Sequence, residues 1–169
     1  MTNGEASMRT ERPFESGPFL QTACLCEKVL EEKDGVKSAI RIIDRLNHTV
    51  IAPAPPEEME PFAYTMTLLV KLKAGAARGT FPLTIRLSKP SGESPPPITN
   101  DLYFEGEDDR GVDVAAMMTI TFSQPGLYWF DISLADVRLT RIPFRLIYSR
   151  QPIPGGDEHP QQAGQGNPS

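Results

Sequence analysis

The chain has 169 residues, 39% of them hydrophobic and 23% charged, enough apolar content for one domain with a buried core. Its 17 basic and 22 acidic residues leave a net charge of −5, the reverse of the balance that phosphate contacts require, which argues against general nucleic-acid binding. With 17 prolines and 13 glycines, short extended segments joined by turns are favoured over long helices.

Residues 1–17 are polar and aperiodic and read as a disordered arm without a secretory leader. Residues 19–30 and 38–46 read as strands, joined by a hairpin signal at Asp34-Gly35. A rival reading makes residues 22–32 a helix, because Leu25, Val29 and Glu32 fall at helical spacing. From Phe62 to Leu72 the period is two: Phe62, Tyr64, Met66, Leu68, Val70 and Leu72 alternate with a mostly polar set. Phe81, Leu83, Ile85 and Leu87 repeat the pattern, and the linker holding Gly75 and Gly79 suggests that these two strands form a hairpin.

Val114, Ala116, Met118, Ile120 and Phe122 form another alternating run, closed by the turn Gln124-Pro125-Gly126. Tyr128, Phe130, Ile132 and Leu134 follow, then the short turn Ala135-Asp136, then Val137 and Leu139. The apolar parity then changes to Ile142, Phe144, Leu146 and Tyr148, which predicts a bulge or bend, placed at Pro143. Residues 150–169, rich in Pro, Gly and Gln, read as a disordered tail. The expected fold is all-β: an antiparallel sandwich of about seven or eight strands over residues 18–149. No stretch reaches the ~20 apolar residues of a bilayer span, and the expected location is cytoplasmic.

Cys24-Leu25-Cys26-Glu27-Lys28-Val29, Asp34-Gly35 and residues 40–46, together with Lys71 to Gly75, Pro90-Ser91-Gly92 and Pro125 to Phe130, resemble a bacterial family of uncharacterised proteins. The resemblance spans residues 24–148. It implies a compact β domain, a domain of unknown function, and supplies no catalytic residue.

Few residues suggest chemistry. Cys24 and Cys26 would share one face of a strand, but they make neither a C-x-x-C redox motif nor a zinc site. His48 with Asp44 and a serine could contribute to a triad, yet no nucleophile elbow accompanies them. The acidic run from Glu105 to Asp113 lacks the EF-hand order, and Gly75 and Gly79 lack the Lys-Ser/Thr of a phosphate loop. Ser94-Pro95-Pro96-Pro97 reads as a stiff connection.

Interaction candidates are easier to name. Lys71, Lys73, Arg86, Arg141 and Arg145 all face away from the apolar side, and neighbouring strands would gather them into a basic patch. Trp129, the single tryptophan, lies on the face opposite Tyr128 and Phe130. The expectation is therefore a non-catalytic binding or scaffolding module with no cofactor and no metal. Its partner is a protein rather than a nucleic acid or a membrane, with a homo-oligomer as a second arrangement. The alternatives are a ligand-binding or enzymatic cleft at one end of the sheets, and a structural subunit that self-associates by edge pairing or face stacking.

Overall fold

The computed structural model describes residues 14–153. The expected arm and tail otherwise lie outside the described residues. Nine strands run in chain order: β1 (Phe19–Glu31), β2 (Lys37–Ile42), β3 (Arg45–Ala52), β4 (Phe62–Lys73), β5 (Gly79–Ser88), β6 (Ile98–Phe104), β7 (Gly111–Phe122), β8 (Gly126–Leu134) and β9 (Val137–Pro152). Residues 22–32, the segment with a rival helical reading, belong to β1 and to the turn after it. β9 runs to Pro152, beyond residue 149 where the domain was expected to end.

The strands make two sheets, one of four in the order β2-β1-β4-β7 and one of five in the order β3-β9-β8-β5-β6. They pack face to face, because the alternation leaves each sheet one apolar side. Met66, Leu68, Val70 and Leu72 of β4 are fully buried, as are Tyr128, Phe130, Ile132 and Leu134 of β8. Phe122 lies in an aromatic cluster, edge-on to Tyr128 at 4.9 Å and stacked on Phe144 at 5.7 Å.

Four details depart from the sequence reading. β4 and β5 are not a hairpin: β4 pairs with β1 and β7, while β5 pairs with β6 and β8 in the other sheet. The linker between them crosses the sandwich, held by backbone bonds from Ala74 N to Arg110 O (2.7 Å) and from Gly75 N to Asp108 O (3.0 Å). There Gly75 takes a φ of +53°, and an added Cβ would stand 2.4 Å from the Ser16 carbonyl oxygen, so glycine is required by both conformation and space.

The segment 38–46 is likewise two strands. Ile43 N still bonds Leu25 O in the first sheet (2.9 Å), and Arg145 N bonds Asp44 O in the second (3.0 Å), so the chain changes sheets between residues 43 and 44. β3 then runs parallel to β9, the one parallel pair among the described strands. β6 is an edge strand that the sequence reading did not contain: Asn100 and Asp101 interrupt its pattern, and only Leu102 and Phe104 are buried.

The bulge is real but sits earlier than Pro143. Ile132 pairs with Thr140 and Ser133 with Arg138, leaving Leu139 as the extra residue. Pro143 instead pairs regularly with Trp129. It precedes Arg145, where β3 begins to pair, so β9 is still an edge on that side and tolerates proline.

Candidate functional site

With Tyr128, Phe130, Ile132 and Leu134 pointing into the core, the pleat sends Leu127, Trp129, Asp131 and Ser133 of β8 to the outer face. Register fixes their neighbours. Arg86 of β5, Asp131 of β8 and Arg141 of β9 form one row across three strands. Ser88, Trp129 and Pro143 form the row beside it. Leu127 pairs with Arg145, and Arg145 with Arg45 of β3, while Ser133 pairs with Arg138. Five arginines therefore share one outer face. Asp131 lies among them, and Asp101 lies on the edge strand β6 opposite Pro82.

The Arg141 guanidinium lies over the Trp129 ring at 4.4 Å, a cation–π contact between β9 and β8. Asp131 is 19% exposed in its side chain; its Oδ1 is 3.3 Å from Arg141 Nε and 3.7 Å from Arg138 Nη1. These are ion pairs by distance, yet Oδ1 is buried and accepts no hydrogen bond among the described residues. Arg86 and Arg145 are exposed and make no ion pair among the described residues.

Of the six residues singled out from the sequence, this face gathers Trp129, Arg86, Arg141 and Arg145. Lys71 and Lys73 belong to β4 in the other sheet, so a single basic patch of all five cations does not form. Lys71 pairs with Asp113 at 3.6 Å, and Lys73 donates to the Asp109 carbonyl oxygen at 2.7 Å. The separation follows from the sheet crossing after β4, which alternation alone does not reveal. Two members were missed, Arg45 and Arg138. Arg45 joins only through the parallel pairing of β3, and Arg138 precedes the bulge that resets the parity of β9.

A family profile matches residues 21–147 and is described as DUF6941, a family of unknown function. The chain belongs to the DUF6941 family. No curated protein matches it. Among solved structures it is similar to the CARDB domain of the PF1109 protein from Pyrococcus furiosus, solved in complex with di-metal ions. That similarity has 11% identity and a TM-score of 0.38, and covers 79% of this chain and 98% of that one.

Elsewhere in this DUF6941 domain the other groups named from the sequence are structural. His48 stacks on Phe62 with ring centres 4.1 Å apart, and on Tyr148 at 6.0 Å, while Asp44 faces Arg45 at 3.6 Å. The histidine is thus an aromatic packing element between β3 and β4. Cys24 and Cys26 share the outer face of β1. Cys26 is fully buried and its Sγ donates to the Thr67 carbonyl oxygen at 3.5 Å. Burial pushes both thiols above their ordinary value, and the neighbouring Cys24 adds to the shift at Cys26, so neither is set up as a nucleophile.

The acidic loop spends its charges locally: Glu105 and Glu107 pair with Arg110, and Asp108 pairs with Arg78 at 2.6 Å. No cluster of three or more His, Cys, Asp or Glu able to hold a metal ion occurs among the described residues. An apolar cleft of about 270 Å³ opens between the sheets, lined by Ile98, Met118, Ile120, Pro95 and Pro96. Its one cation, Lys89, is held by Glu93 at 3.1 Å, and no set of polar groups converges there. Among the described residues no helix is long and apolar enough to cross a membrane.

Proposed function

We propose that this domain is a non-catalytic binding module that holds an acidic segment of a protein partner on the outer face of its five-stranded sheet. The observation that supports this reading is the set of five arginines, Arg45, Arg86, Arg138, Arg141 and Arg145, on one outer face formed by β3, β9 and β5, the last two flanking β8, in a chain whose net charge is −5. A guanidinium presents a planar fork of donors that matches a carboxylate in two places at once. Trp129 offers a flat amphipathic surface beside them, the residue type that most often anchors an interface. Arg86 and Arg145 are free to take new acceptors, and the rigid sheet holds them at strand spacing, which suits an extended ligand with carboxylates on one side.

Trp129 is the single tryptophan of the chain, so its fluorescence reports on this face. Titration with a glutamate-rich peptide is expected to change Trp129 emission saturably, with affinity falling steeply as salt rises. The double variant Arg141→Glu/Arg145→Glu is expected to weaken binding by at least about tenfold. Lys71→Glu/Lys73→Glu, on the opposite sheet, should leave it nearly unchanged. Binding indifferent to salt and to both arginine reversals would sink the proposal.

A further inference from the structure

An edge strand exposes a row of unpaired backbone groups and normally carries a device that prevents another strand from adding to it. Among the described residues three of the four edges are shorter, six to eight residues, and two of these, β2 and β6, carry charge inside the strand. β2 is six residues long and carries Lys37 and Arg41. β3 runs for eight residues and begins at Arg45. β6 has seven residues, carries Asp101 and follows the prolines Pro95 to Pro97.

β7 is different. It is 12 residues long and is paired on one side only, with β4. Its register with β4 runs unbroken from Phe62↔Phe122 to Lys73↔Gly111, so no bulge twists the edge away. From Val114 to Phe122 it contains no charged residue, no proline and no glycine. Met117, on the outer face near its middle, is 77% exposed.

We propose that β7 is the seam of a homodimer, in which two copies pair their β7 strands antiparallel about a two-fold axis through Met117. The strand complements itself about that residue. Directly opposite residues of an antiparallel pair share a face, so the pairing sets Ala116 against Met118, Val114 against Ile120 and Val112 against Phe122 on the core side. On the outer face Met117 meets its own copy, Ala115 meets Thr119 and Asp113 meets Thr121. Asp113, the one charge in the strand, is already paired with Lys71 at 3.6 Å and never faces its own copy. Centring on Met117 pairs eleven of the twelve residues, Val112 to Phe122. That span supplies about ten backbone hydrogen bonds, the number typical of a whole protein interface. The result is one eight-stranded sheet from two of four.

The test is sedimentation velocity of the full chain as a function of concentration, with cross-linking to read the register. The unmodified protein is expected to run as a dimer that dissociates on dilution. Met117→Lys sets two like charges directly opposite each other and is expected to weaken the dimer by about tenfold or more. Its circular dichroism should be unchanged, because the side chain is on the solvent face. In a Cys24→Ser background, Met117→Cys should give an intermolecular disulfide on mild oxidation, and Thr121→Cys should not, since Thr121 faces Asp113. A monomer at every concentration overturns the proposal. So does a dimer that is indifferent to Met117→Lys and cross-links no better through Met117→Cys than through Thr121→Cys. If Met117→Lys fails to fold, the pair of cysteine variants decides alone. A β7 edge that takes up an unrelated extended peptide while the chain stays monomeric also refutes the dimer.

Discussion

Asp131 is the residue on which the arginine face balances. Its carboxylate lies in register between Arg86 and Arg141, with Oδ1 at 3.3 Å from Arg141 and 3.7 Å from Arg138. It lowers the positive potential at the centre of the face and competes with any incoming carboxylate for the same guanidinium groups. Both arginine partners are well exposed, so these pairs contribute at most about 1 kcal/mol to stability. Asp131→Asn keeps the shape and removes the charge. The variant is expected to bind a glutamate-rich peptide severalfold more tightly, while its denaturant midpoint corresponds to a loss of no more than about 1 kcal/mol. Parallel titrations of Trp129 emission and urea melts check both halves, and weaker peptide binding by the variant would remove Asp131 from this role.

Among the elements, the hairpin between β8 and β9 shows what a local pattern can and cannot specify. Ala135 and Asp136 were legible as its turn because the alternation stops on either side of them. In the structure both have positive φ, 45° and 65°, as the two central residues of a type I′ turn must. Ala135 is not a residue type that turn prefers and is strained in this region, and Asp136 stands at the second central position, where glycine is preferred. Ala135→Asn with Asp136→Gly is expected to raise stability by about 1 kcal/mol, measured as a higher thermal midpoint with unchanged peptide binding. The Ala135 N–H, bonded to the Pro82 carbonyl oxygen at 2.9 Å, is preserved in the double variant. The parity change in β9 was equally legible, but the bulge belongs to Leu139, because pairing with β8, not the nearest proline, decides which residue is extra. Arg141 and Arg145 were recognisable as outward-facing, whereas Arg45 became their neighbour through a parallel pairing between segments about a hundred residues apart, which no local period encodes. The β7 edge has the same character: its uncharged run is visible in the sequence, but only the sheet order shows that no strand of the described chain pairs with its second side.

Across the whole molecule, alternation was enough to indicate two apolar layers, and it failed where the chain passes between them. The crossings at residues 43–44 and after β4 are held by backbone hydrogen bonds, the second also by buried Ala74 and Ala77, and none of these carries a periodic signal. Burial of ionisable side chains within the fold has a consequence for pH. Burial raises Cys24 and Cys26 above their ordinary 9.0, and raises Tyr64 and Tyr128 above their ordinary 10.0, with the Glu27 carboxylate adding to the shift at Tyr64. In the unfolded chain these groups release their protons at the ordinary values, while the folded chain still holds them. Above pH 9 the unfolded state therefore binds fewer protons than the folded state, and stability falls as pH rises. The contribution is fully present below that point and is lost progressively through the folded values. Thermal midpoints should be level across neutral pH and decline from about pH 9 upward, with a limiting slope near 1.4 kcal/mol per pH unit for each proton held. Cys24→Ser combined with Tyr64→Phe removes two of the four groups and should make the decline shallower without altering the neutral plateau by more than about 1 kcal/mol. An identical alkaline slope in the double variant would show that other groups set the decline.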